Sequence, residues 1–107
     1  MKTDNVKIIF KSICKDYKRY SVIKRKENMD FNYKCFTYSF ERTMNALSET
    51  SRDILNKSFF KVEYPFWWLE VYSSTTFYRY RKIAITAFVF IFICANASFK
   101  VSHNVIC

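Results

Sequence analysis

The stretch "SSTTFYRYRK" (73–82) gathers the side chains that bind a polyanion: Thr75, Thr76, Tyr78, Arg79 and Lys82. A guanidinium can bridge two acceptors on a guanine edge, while ammonium and hydroxyl groups hold phosphate oxygens. On a helix, with ~100° between residues, Phe77, Arg81, Ala84 and Phe88 share a face with Tyr80. The apolar members can then pack inward and leave the five polar or cationic positions facing out. A solvated face is the plain alternative, because many surface helices carry Arg and Lys at such spacings.

Other chemistry finds little footing. Glycine is absent, so neither a phosphate loop nor a nucleophile elbow can be built. Glu63 and Glu70 stand seven apart with no partner pocket in view, and the single histidine, His103, falls in the expected tail. We therefore expect no enzyme, no catalytic residue and no cofactor. Cys14, Cys35, Cys94 and Cys107 are widely scattered and form no CxxC pair, and the one histidine has no partner at metal-ligand spacing, which argues against a metal site. "VKIIF" between lysines is too short for the apolar core of a signal peptide, so the thiols read as reduced, cytoplasmic and packed like small apolar groups.

The elements that must carry the cationic stretch follow from composition. In 107 residues there is room for one domain with a modest core. The lack of glycine and the single proline, Pro65, favour helices over a sheet rich in positive-φ turns. Net charge is +9, and residues 1–30 hold nine basic against four acidic side chains. That bias suits nucleic acid or an anionic lipid surface.

In the first segment Ile9, Ile13, Tyr17 and Tyr20 recur three to four apart between lysines, which predicts a basic amphipathic helix within 1–30, broken at 25–30. Next, Phe31, Tyr33 and Cys35 alternate as a strand would, but Phe36, Phe40, Met44 and Leu47 follow helical spacing, and a helix is expected. Ser48 can N-cap a third helix whose stripe is Ile54, Leu55 and Phe59. Pro65 suits a first helical turn, so "PFWWLEVY" (65–72) reads as a two-turn helix. Trp67 and Trp68 could stack bases there, although core anchoring is the commoner use. Ser73 then caps a last helix from Ser74 to about Ala95, and residues 96–107 read as a flexible tail.

A two-turn helix, a capped turn and a longer basic helix form the layout of a helix-turn-helix, here at about 65–88. The expected architecture is all-α: a small helical domain over 31–95 with that motif at its C-terminal end. "LSETSRDILNKSFF" (47–60) resembles the opening of the region-four domain of bacterial sigma factors and of ArpU-type regulators. Leu47, Glu49, Arg52, Ile54, Leu55, Phe59 and Phe60 match that pattern in spacing, with Ser48 in place of its proline. Downstream, Ser73, Thr76, Phe77, Tyr78, Arg79, Ala84 and Phe88 resemble the same group's recognition helix. Small mollicute proteins carry a similar domain. The resemblance implies DNA binding in transcription or its regulation, with DNA as partner and RNA polymerase as a candidate second one. Two departures stand out: Trp67 occupies a slot that is small in the family, and Val71 the slot that is usually glycine.

A rival reading begins at the same place. Residues 83–99 are 17 positions without a charge, flanked by Arg79, Arg81 and Lys82 before and Lys100 after. That is a basic collar beside a candidate membrane span, with a cytoplasmic basic part. Thr86, Asn96 and Ser98 interrupt it, and the apolar 83–95 core reaches only ~20 Å against a ~30 Å hydrocarbon layer. A third use for 83–95 is a homodimer contact, in which the exposed apolar helix end is covered by a second copy.

Overall fold

A computed structural model describes residues 3–22 and 31–102, with side chains described from Asn5 onward. Four α-helices carry the fold: α1 (Thr3–Ser21), α2 (Phe31–Ala46), α3 (Glu49–Leu55) and α4 (Ser74–Ser102). The described residues include no strand, so the domain is all-α as expected, and Phe31, Tyr33 and Cys35 sit on a helix. The expected break at 25–30 and the tail from His103 onward lie outside the described residues.

At 29 residues, α4 is ~43 Å long, almost the full 46 Å of the molecule's longest axis. The other helices wrap it. From α1 come Val6, Phe10 and Ile13, spaced four and three apart, while its lysines face solvent. Phe88 is fully buried at the centre, with the rings of Phe10, Phe40, Phe60 and Phe92 between 5.6 and 5.9 Å away. Side chains this crowded make edge and offset contacts that add to simple burial.

Of the stripe expected on and just after α2, Met44 and Leu47 are buried in the core and the first two members are not. Phe36 and Phe40 are half-buried flanks, and the line against α4 is Cys35, Ser39 and Thr43, four residues apart. Small side chains let the two helix axes approach, leaving room for the bulk of Phe88 and Phe92. The buried hydroxyls find partners on the helix itself: Ser39 Oγ lies 2.8 Å from the Cys35 carbonyl and Thr43 Oγ1 2.6 Å from that of Ser39. Across the contact, Asn96 Oδ1 lies 2.9 Å from both Ser39 Oγ and Cys35 Sγ. The single Ser39 proton serves one acceptor at a time, so the junction is a shared polar knot inside an apolar seam.

Ser48 caps α3 as expected, its hydroxyl accepting from the Ser51 N–H at 3.2 Å. Arg52 reaches back to the end of α2, donating to the Met44 carbonyl at 2.9 Å and the Leu47 carbonyl at 3.0 Å. Helix C-termini leave such carbonyls without partners, and one guanidinium here satisfies two of them. After Leu55 the chain widens into a π-turn, Asn56–Phe60. Five residues along a regular α-helix would put Phe60 ~140° away from Leu55; the wider turn returns it to the core, where both are buried.

Candidate nucleic-acid interface

The cationic stretch depends on a second, smaller cluster of Ile54, Trp67, Trp68 and Phe77. Here the structure corrects the expected two-turn helix at 65–72. Between Lys61 and Phe66 the chain is exposed and irregular, and only a single 3-10 turn, Trp67–Glu70, precedes α4. Both indoles are buried beside Phe77: Trp68 lies parallel to that ring at 4.5 Å and 4°, and Trp67 meets it edge-on at 5.7 Å. A tight turn lets two consecutive side chains clasp one ring, and this clasp replaces the first helix of a helix-turn-helix. Val71 has φ −108°, so the turn needs no glycine.

Ser73 sets the start of α4. Its Oγ accepts from the Thr76 N–H at 3.2 Å and donates to Thr76 Oγ1 at 2.9 Å. With Phe77 clasped inward, helical geometry turns Thr75, Tyr78, Arg79 and Lys82 into one outward sector ~100° wide, and all four are exposed. Thr76 stands apart from them, half-buried and with its hydroxyl held by Ser73.

Of the residues expected beneath the ridge, Phe77, Ala84 and Phe88 are buried, but Tyr80 is exposed above Tyr72. Arg81 is half-buried, its guanidinium 4.9 Å over the Phe59 ring and 5.9 Å from that of Tyr78. Two clefts open on either side of Tyr78 and Arg81. One, of about 240 Å³, is bounded by Val6 and Lys7 of α1 and by Arg81, Lys82, Ile85 and Thr86 of α4. The other, of about 250 Å³, runs past Lys57, Ser58, Phe66 and Trp68, and in its wall the Ser58 hydroxyl is buried without a hydrogen-bond partner. Among the described residues no carboxylate lines either cleft.

Among the described residues the cations of this edge face no carboxylate. The α4 sequence contains Arg79, Arg81, Lys82 and Lys100 and no acid. Among the described residues the ion pairs are Asp16–Arg19 at 3.3 Å and Asp53–Lys57 at 3.2 Å, so neither engages the α4 ridge. The basic N-terminal helix is expected to add phosphate contacts, but neither its Lys7 nor Arg81 is singled out by the sequence. Lys7 could have been found only by knowing that α1 crosses α4 here, and Arg81 was assigned to the inward face by periodicity.

The expected end of the last helix also moves. Instead of stopping near Ala95, α4 continues to Ser102, because Ala95, Asn96 and Phe99 still have α2 to pack against. Ala84, Phe88, Val89, Phe92, Ala95 and Phe99 face the core, while Ile83, Phe90, Ile93 and Val101 remain exposed. Compared with protein-family models, curated proteins and solved structures, the chain matches none.

Proposed function

We propose that the chain is a cytoplasmic DNA-binding protein acting in transcription or its regulation. Its docking edge is the start of α4, with Thr75, Tyr78, Arg79 and Lys82 outward and Thr76 beside the cap. Lys7 and Arg81 extend that edge across the cleft to α1. The observation that carries this reading is the acid-free cationic ridge, held outward by the Trp67–Trp68 clasp on Phe77. Arg and Lys at this density, with an exposed tyrosine between them, suit phosphate oxygens and the groove edge. Because a one-turn clasp stands where the first helix of a helix-turn-helix would lie, phosphate contact dominates over base readout. Binding of the purified chain to a short duplex is the test. Replacing Arg79 and Lys82 with Ala should weaken it without loss of helical content, and undiminished binding at ~150 mM salt refutes the assignment.

A second reading draws on the length of α4, which with its apolar stretch is long enough to cross a bilayer. One third of its most apolar window is buried against the other helices. Insertion would strip α1, α2 and α3 from it. Fractionation separates the two: a soluble chain fits DNA binding, whereas resistance to carbonate extraction, lost when 83–99 are deleted, fits a span.

A further inference from the structure

One side of α4 is left uncovered by the other described helices, and it carries a repeat of its own. Ile83, Phe90 and Ala97 fall on it seven residues apart, with Ala87 and Ile93 between them. Ile83 is 55% exposed and Phe90 45%, and no charge interrupts the sequence between Lys82 and Lys100. A seven-residue apolar repeat keeps one stripe of a helix against a neighbouring helix. A helix that only filled its own core would carry polar residues at these positions.

We propose that this stripe is covered by α4 of a second copy, running antiparallel about a two-fold axis near Phe90. Size selects that arrangement first. Reversal about Phe90 sets Ile83 against the partner's Ala97 and Ala87 against the partner's Ile93, so that bulky side chains meet small ones on either side of the Phe90 pair at the axis. Charge selects it again. A parallel pair would stack Arg79 and Lys82 on their own copies, with no acid on α4 to relieve them. The antiparallel pair spreads them to opposite ends, where each group meets the partner's helix C-terminus and a single Lys100 in place of its own copy. Space is also available: from Ile83 to Val101 the stripe runs ~27 Å, and beside its C-terminal half lies an apolar groove of about 600 Å³ between α1 and α4.

The pairing stands on this face alone, while one consequence rests on the DNA reading. The ridge is centred near Arg79, eleven residues from Phe90. In the pair, the two ridges are therefore ~33 Å apart along the helices, close to the ~34 Å that separates successive major-groove sites. A two-fold axis normal to both helices turns Thr75, Tyr78, Lys82 and the Lys7 edge of each α1 to the same side, while Arg79, five turns before Ala97, sits at the end of the seam beside the partner's Val101.

Sedimentation of the full chain without nucleic acid or detergent tests the pairing. A dimer is expected at micromolar concentration, and Phe90→Glu should weaken it by roughly 100-fold, since it would bury an unpaired charge. Phe90 is exposed in the single chain, so the variant should keep its helical content and melting temperature; Ile83→Glu is the second variant should it not. A monomeric wild-type chain overturns the proposal, as does a chain that binds phosphatidylcholine vesicles and does not pair. Direction is read by oxidation. Phe90→Cys should cross-link through its new thiol, whereas the two Cys94 residues lie ~12 Å apart along the antiparallel pair, beyond the ~7 Å reach of a disulfide. A cross-link mapped to Cys94 on both chains overturns the antiparallel arrangement. Pairing that persists in a chain with no affinity for duplex DNA supports the interface and removes the DNA reading.

Discussion

Replacing Arg79 and Lys82 together with Ala turns the cationic edge into a number. Each phosphate neutralised on a duplex contributes about −0.9 to the slope of log affinity against log salt. Lys7, Arg79, Arg81 and Lys82 border the docking edge, so four contacts per chain give a slope of about −3.6. Raising salt fourfold, from ~50 to ~200 mM, should then weaken binding roughly 150-fold. The double variant keeps two of these cations, and its slope of about −1.8 predicts a loss of only ~12-fold over the same range. Arg81 differs from the other three, because its guanidinium lies over Phe59 at 4.9 Å. If it stays there, both slopes shrink by ~0.9 and their difference of ~1.8 is unchanged. Anisotropy of a labelled duplex, titrated at several salt concentrations, measures that difference. Lys34→Ala is the control, since α2 begins beside Phe99 at the opposite end of α4. Equal slopes for wild type and double variant would refute the docking edge, however tight the binding.

Three further outcomes test the fold that holds this edge in place. Phe88→Ala, at the fully buried centre of the aromatic cluster, should cost about 3–5 kcal/mol in denaturant unfolding; a loss below ~1 kcal/mol would mean that the cluster is not the core. Arg52→Ala leaves the Met44 and Leu47 carbonyls without their guanidinium and should cost about 1.5–3 kcal/mol. Arg52→Lys should recover only part of that, because a point charge cannot reproduce the fork; full recovery speaks against the two-carbonyl clamp. Burial pushes the Cys14 thiol up from 9.0 to about 11, with the charge of Lys18 pulling it down. Since the folded chain keeps a proton that the unfolded chain releases, stability should fall as pH rises through that interval. Alkylation at Cys14, followed by mass spectrometry, should therefore stay slow at pH 9.0 and quicken toward about 11; rapid labelling of the folded chain at the lower pH counts against a buried thiol.

Local chemistry was legible in the sequence wherever a residue acts on its near neighbours. Ser48 and Ser73 cap the helices that follow them because a cap is a bond across three residues. The outward sector of Thr75, Tyr78, Arg79 and Lys82 follows from helical period once Phe77 points in, whereas on α1 the expected Ile9, Tyr17 and Tyr20 are half-buried and Val6 and Phe10 join Ile13 at the core. What depended on residues far along the chain was not legible. Periodicity favours Phe36 and Phe40 as the inner face of α2, but α4 already brings Phe88 and Phe92 to that seam. The close approach therefore goes to Cys35, Ser39 and Thr43, with Asn96, some sixty positions away, as the partner of the first two. Likewise Pro65 and the following apolar run suit two helical turns, until a single ring, Phe77, has to be clasped by two adjacent tryptophans. The reach of α4 to Ser102 was decided by α2 lying alongside it. Backbone propensity and spacing determine where helices start and which way each one is greasy, because those energies are local. Which side chains meet, and how far a helix runs, is set by the volume its neighbours leave, and only the packed chain defines that volume.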